Sequence, residues 1–207
     1  MTNRNFKKEM DAVLLRAQKE GCRPKVLLHA CCAPCASACL EYLAKNCSLT
    51  VFFYNPNIDT AEEYEKRAGE LKRLMEEMFP DGSVSVITAD WDHAEFENIA
   101  RGLEEEPERG RRCLKCYELR LQKTAERTDD SFDFFATTLT LSPLKPAAAI
   151  NEIGERIAKE TGLTYLVSDF KKADGYKRSI ELSKEHDLYR QDYCGCRFSK
   201  RSNTNGK

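Results

Sequence analysis

The stretch KVLLHACCAPC, residues 25–35, decides the fold of this chain. Residues 25–29 are a short apolar run with the length and composition of a buried strand. The run ends at a turn that carries three cysteines, Cys31, Cys32 and Cys35. Pro34 stands where a helix of about residues 35–45 begins, a position at which its missing N–H costs little. A strand that feeds a helix through a polar turn is the first half of a strand–helix–strand unit, whose sheet is parallel.

The flanking sequence repeats the unit. Residues 5–20 carry a helical stripe of Phe6, Met10, Val13, Leu14 and Ala17, stopped by Pro24. Residues 49–54 read as a second strand, followed by the turn signal Asn55-Pro56-Asn57. Asp59 or Thr60 can cap a helix over 61–78. Strands are expected at 83–88, 132–138 and 163–168, and helices near 94–102, at 113–127, at 147–160 and at 177–186. The pattern predicts an α/β fold: a three-layer, mostly parallel sheet with helices on both faces. Ligands of such sheets bind beyond the carboxyl ends of the strands. The segments there are HACCAPC, YNPNI, LTLSPLK and SDFKKADGYKRS, which hold most of the unusual residues. Residues 1–198 are read as a single catalytic domain carrying a metal site, and 199–207 as a disordered tail.

The chain has 207 residues, 41% of them apolar, enough for a sizeable core, so most of its length cannot be disordered. No apolar run is long enough to cross a bilayer, and the charged start does not resemble a secretion signal, so the expected location is cytoplasmic, with no membrane partner. Ten cysteines in such a compartment do not form a disulfide framework. Cys22, Cys39 and Cys47 stand alone. The other seven fall in three groups: Cys31, Cys32 and Cys35; Cys113 and Cys116; Cys194 and Cys196.

Close spacing of reduced cysteines points to metal ligation or redox chemistry. The Cys113-Leu-Lys-Cys116 pair at a helix start suits one metal, and taken alone it reads as zinc more simply than as iron–sulfur. Cys194-Gly195-Cys196 and Cys31-Cys32 are too tightly spaced for comfortable chelation of one metal by both thiolates. One member of each pair to each of two centres is the natural arrangement. A 4Fe–4S cluster takes four thiolates. Seven therefore divide as four and three: Cys113, Cys116 and one of each pair in a cluster, and Cys35 with the remaining two on a second metal that keeps an open coordination position.

HACCAPC, YNPNI, the EEYEKR helix, RRCLKCYELRL, TTLTLSPLK and FKKADGYKRSIELSKEHDLYRQDYCGC together resemble the QueH-type epoxyqueuosine reductases, over residues 25–198. The resemblance implies a fold similar to the adenine-nucleotide alpha-hydrolase (Rossmann-like) group. It implies cobalamin-independent reduction of the epoxide of epoxyqueuosine, at the wobble position of tRNA anticodons, to the alkene of queuosine. It also implies a 4Fe–4S cluster beside a mononuclear iron, fed by an unidentified electron donor. Some members carry an acidic residue where this chain has Cys35. The sequence reading assigns Cys32, Cys113, Cys116 and Cys194 to the cluster and Cys31, Cys35 and Cys196 to the lone iron.

Epoxide deoxygenation needs two electrons and a proton donor for the leaving oxygen. His29, Tyr117, Tyr176 and Tyr193 lie beside the cysteine groups and are the candidates, with His29 also placed to hydrogen-bond a sulfur. Net charge is −1 overall, but residues 170–207 hold ten Lys or Arg against five Asp or Glu. Arg111, Arg112, Lys171, Lys172 and Arg178 are the candidate phosphate contacts, and interleaved tyrosines could stack on splayed bases. Two other readings are a tRNA-thiolating sulfurtransferase with an iron–sulfur cluster and a zinc-binding RNA module. The first requires a glycine-rich phosphate loop after strand one, where this chain reads HACCAPCAS.

Overall fold

A computed structural model describes residues 4–200. Strands β1 (Lys25–Ala30), β2 (Ser48–Phe53), β3 (Val84–Thr88) and β4 (Phe134–Thr137) form one sheet in the order β3-β2-β1-β4. Every pairing is parallel; Val26 faces Leu49 on one side and Phe134 on the other. Helices α1 (Phe6–Lys19), α2 (Ala33–Leu43), α3 (Ala61–Met78), α4 (His93–Ala100), α5 (Arg111–Glu126), α6 (Ala147–Thr161) and α7 (Gly175–Glu185) cover it.

The three layers follow from the alternation of β1. Val26, Leu28 and Ala30 point into a core with Met10 and Leu14 of α1, Leu40 and Leu43 of α2, Leu71 and Leu74 of α3, and Leu182 of α7. Leu27 points the other way, into a small cluster with Phe52 and Tyr54. On that side Tyr117 and Leu121 of α5 and Ile150 and Ile157 of α6 pack against Phe135 of β4. Because β1 is buried on both faces, its sequence is a continuous apolar run rather than an alternating one.

The chain walks outward from β1 through β2 to β3 and then returns to the opposite side of β1 for β4. Strand order reverses between β1 and β4, so the crevice for a ligand opens above their carboxyl ends.

Some boundaries differ from the sequence expectation. The α3 limits agree, with Thr60 Oγ1 accepting from Glu63 N at 3.2 Å. Helix α2 begins two residues earlier than expected, which puts Cys35 inside its first turn. The expected fifth strand is reduced to a single parallel bridge between Phe135 and Tyr165. Two causes are visible. Strand β4 turns into a 3-10 helix at Thr138 and offers no further ladder. Asn151 of α6 also takes the backbone of Ser168, donating to its carbonyl at 2.8 Å and accepting its N–H at 3.0 Å. Ser199 and Lys200, expected in the disordered tail, are structured: Arg197–Ser199 form a 3-10 turn. Residues 201–207 of the tail lie outside the described residues. No helix among the described residues is long and apolar enough to cross a membrane.

Candidate metal centre

Three elements bring the seven grouped cysteines together. The end of β1 and the first turn of α2 carry Cys31, Cys32 and Cys35, whose sulfurs all lie within 4.8 Å of one another. The Cys31 and Cys32 sulfurs are 3.8 Å apart, so the adjacent pair does not diverge as an extended backbone would have it. On α5, spacings of three and four residues place Cys113, Cys116, Tyr117 and Arg120 along one face. The loop after α7 brings Cys194 and Cys196 over that face, where Cys113, Cys116, Cys194 and Cys196 line one pocket.

Residues of the YNPNI and EEYEKR motifs hold this loop. Asn57 Nδ2 and Arg67 Nη1 each donate to the Cys194 carbonyl at 3.3 Å, and Asp59 N donates to the Gly195 carbonyl at 3.1 Å. Gly195 has φ +119°, a conformation suited to glycine, and a Cβ there would sit 3.0 Å from Ile58 Cγ1. Ser199 closes the loop: its hydroxyl accepts the Cys194 N–H at 3.2 Å and donates to the Cys196 carbonyl at 2.8 Å.

A cleft of about 130 Å³ opens onto Cys31, Cys32, Cys35 and Cys194, with Arg67, Lys145 and Tyr193 in its walls. Arg120 is fully buried, within 4.0 Å of the Cys116 sulfur and bonded to Asn55 Oδ1. Neither Arg120 nor Lys145 has a carboxylate partner among the described residues. Burial opposes charge on Lys145, and the thiolates of Cys194, Cys31 and Cys35 outweigh it, so its ammonium is held above its ordinary value. Hydrogen bonds from Cys32 and Cys35 hold the Cys31 thiol well below its ordinary value, while the Cys32 thiol is pushed up to about 12, mainly by its bond to Cys31. Burial pushes Cys116 up to about 12. The buried Arg120 and the half-buried Lys145, cations without carboxylates beside these sulfurs, are counter-charge of the kind that suits a thiolate-bound metal centre. The donor set therefore fits a sulfur-ligated metal centre.

The proton-donor candidates separate in space. His29 is fully buried; its Nδ1 lies 2.8 Å from Thr137 Oγ1, and its Nε2 lies 3.1 Å from the Tyr54 carbonyl and 3.3 Å from Arg120 Nε. It reaches no sulfur, contrary to the sequence expectation, because its side chain leaves β1 toward α5 beneath the site. Burial, aided by Arg120, lowers its pKa to about 3, so the ring is neutral. Tyr117 lines the pocket of the second cysteine group, and Tyr193 lines the open cleft with its hydroxyl 3.2 Å from Asp59 Oδ1. Tyr176 lies on α7 and lines neither.

The basic candidates separate too. Lys171 and Lys172 line a second cleft of about 560 Å³, with Arg109, that shares Leu144 and Lys145 with the first. Lys171 is paired with Asp169 at 2.8 Å. Arg111 is exposed and paired with Glu106 at 2.6 Å. Arg112 is buried, donating to the carbonyls of Leu103 and Glu104 at 2.8 and 2.9 Å and stacking on Phe198, so its guanidinium braces the loop before α5. Arg178 is held by Glu41, Glu181 and Glu185, which leaves little of it for phosphate. Sequence reasoning missed Arg67, Arg120 and Lys145. Lys145 stood in a flagged segment after β4, but Arg67 and Arg120 sit in helices so charged that burial was not visible.

The family model described as "Epoxyqueuosine reductase QueH" matches residues 26–202. An epoxyqueuosine reductase QueH of Streptococcus pyogenes is 42% identical over 198 residues, which are 94% of this chain and 78% of that one. Those of Staphylococcus epidermidis and Staphylococcus aureus are 39% and 37% identical, over 94% of this chain and 84% and 83% of theirs. The cysteine groups that meet above β1 and β4, the motifs that hold them there, and these matches lead to one conclusion: the chain belongs to the QueH epoxyqueuosine reductase family.

Proposed function

We propose that this oxidoreductase reduces epoxyqueuosine in tRNA to queuosine, with residues 1–198 acting as one catalytic domain in the cytoplasm. The observation that carries this reading is the gathering of seven thiols around two adjoining cavities that share Cys194, at the point where strand order reverses. The reaction consumes two electrons and two protons, breaks both C–O bonds of the epoxide, and leaves an alkene and water. The turn after β1 is filled by cysteines rather than a glycine-rich phosphate cradle, which disfavours the sulfurtransferase.

The seven thiols would hold a 4Fe–4S cluster and a single iron. When bound, such a centre supplies electrons singly and a Lewis acid with an open position. Packing favours the opposite member of each pair from the one assigned by sequence. Cys31 packs with Cys113 against the Tyr117 core, and Cys196 packs with Cys116, so Cys31, Cys113, Cys116 and Cys196 suit the cluster. Cys31 also lines the open cleft, but with it given to the cluster, Cys32, Cys35 and Cys194 are the lining thiols left for the single iron. Arg120 balances charge at Cys116, and neutral His29 orients Arg120. Tyr193 and Tyr117 are the phenols that reach the clefts and remain the side-chain proton donors of this proposal. Lys171 and Lys172, in the adjoining cleft, would take phosphates of the anticodon loop.

The test is anaerobic purification, counting iron, sulfide and zinc per chain, followed by reduction of epoxyqueuosine-containing tRNA with dithionite and mass analysis of the nucleoside. About five irons and four sulfides, with loss of one oxygen, are expected. Stoichiometric zinc without sulfide would sink the reading.

A further inference from the structure

Arg67 has a free end that the function above does not use. It lies within the charged helix α3 yet is only 2% exposed. Its Nε donates to Glu63 Oε1 at 2.6 Å and its Nη1 to the Cys194 carbonyl at 3.3 Å. The Tyr193 ring lies 5.0 Å from the guanidinium carbon and sets its plane. Nη2 is buried with no partner, and Arg67 lines the cleft that opens on Cys31, Cys32, Cys35 and Cys194. Buried donors in folded proteins are satisfied, so this one calls for an acceptor that arrives with a ligand. Lys145 lines the same cleft without a carboxylate partner. Arg67 and Lys145 both line this cleft of about 130 Å³ beside the thiols; Glu108 and Asp192 line it too but pair with neither cation among the described residues, which leaves the two for a small, negatively charged oxygen.

We infer that Arg67 and Lys145 form an oxyanion site that receives the oxygen leaving the epoxide. This rests on the reductase reading. As the C–O bonds break, the oxygen keeps their electron pairs and becomes first alkoxide and then hydroxide. Two electrons from an external one-electron reductant are consumed as the carbons close to the alkene, and two protons, passed on by the Tyr193 phenol and replaced from water in the cleft, complete the departing water molecule. Negative charge develops on the oxygen during bond cleavage and is absent from the ground-state epoxide. Preformed donors at that position therefore lower the barrier rather than tighten binding. The Glu63 pair and the Tyr193 ring keep Arg67 oriented before substrate arrives. Backbone phosphates would sit in the adjoining cleft beside Lys171 and Lys172, whose wall Lys145 shares, so affinity for the product tRNA is what separates the two roles of Lys145.

The experiment compares wild type, Lys145→Met, Lys145→Arg and Arg67→Lys, each loaded with metals anaerobically. Iron and sulfide are counted, affinity for the product tRNA is measured on the unreduced protein, and kcat and KM are measured with dithionite. Metal content and product affinity should be unchanged in Lys145→Met, while kcat falls roughly 10²–10³-fold with little change in KM, the loss typical of one oxyanion donor. Lys145→Arg should recover most of it, and Arg67→Lys should lose kcat likewise. Weaker binding of product tRNA, which has no leaving oxygen, would assign the pair to a phosphate and overturn the inference. So would unchanged kcat in Lys145→Met, or loss of iron from Lys145→Met. If Arg67→Lys alone bleaches by disturbing the Cys194 loop, Lys145→Met decides. A wild type that reduces nothing fails the reductase reading; an active wild type with fully active variants fails this inference alone.

Discussion

Gly195→Ala tests the loop that carries two of the seven thiols. The backbone at Gly195 has φ +119°, and an added Cβ would lie 3.0 Å from Ile58 Cγ1, 3.1 Å from Asn57 Nδ2 and 3.2 Å from Arg67 Nη1. Holding an alanine in such a conformation costs about 1–3 kcal/mol. The contacts add to that, because Asn57 and Arg67 grip the Cys194 carbonyl and can yield only by giving up that hold. The loop relieves the strain by moving, which pulls Cys194 and Cys196 off their positions. Gly162→Ala is the control: Gly162 has φ +76° at the end of α6, and its Cβ would meet nothing within 4 Å. There only the conformational cost of about 1–2 kcal/mol applies. For a chain of this size each kcal/mol lowers Tm by about 2–4 °C. Iron per chain and Tm are measured for both variants. Gly195→Ala should lose a large part of its iron as well as stability, whereas Gly162→Ala should lose a few degrees and keep its metal. A Gly195→Ala protein with full iron and the Tm of Gly162→Ala would refute the geometry assigned to the loop.

Further outcomes follow from the same site. Cys113→Ala should lose iron, colour and stability together, because a structural metal contributes directly to folding; Cys35→Ala should keep the cluster absorption and lose turnover, and equal bleaching would show that the four-and-three division is wrong. Lys171→Ala with Lys172→Ala should weaken tRNA binding and lower the slope of log K against log salt by about 1.4, two single-strand phosphate contacts, with iron unchanged. Arg178→Ala, whose guanidinium is already engaged by three glutamates, should leave tRNA affinity and slope as in wild type. His29→Ala should cost about 2–4 kcal/mol in chemical unfolding, since it opens a buried cavity and strips a partner from Arg120.

The sequence by itself determined the fold class and the place of the chemistry. The apolar run at 25–29, its cysteine turn and the regular return of strand and helix specify a parallel sheet with its site at the carboxyl edge, because these signals are local: strand length, turn residues and helix caps act within a few residues. The three cysteine groups were legible for the same reason. A cap at Asp59 or Thr60, of which the structure uses Thr60, and Pro34 near the start of α2 were read from residue type alone. What only the tertiary structure decided is which groups face one another across the chain. The strand expected at 163–168 is cut to a single bridge because β4 turns away at Thr138 and Asn151 takes the Ser168 backbone, both set outside the segment itself. Arg178, basic in sequence, is consumed by acids from α2 and α7, while Arg67, one charge among many on α3, is buried against the Cys194 loop. His29, adjacent in sequence to the cysteines, points beneath them toward Arg120 because alternate residues of a strand leave on opposite faces. Charge and chemical type are properties of a residue, but burial and partners are set by long-range packing. The chain therefore announced the thiols of its candidate metal centre, and the fold alone chose the cations beside them.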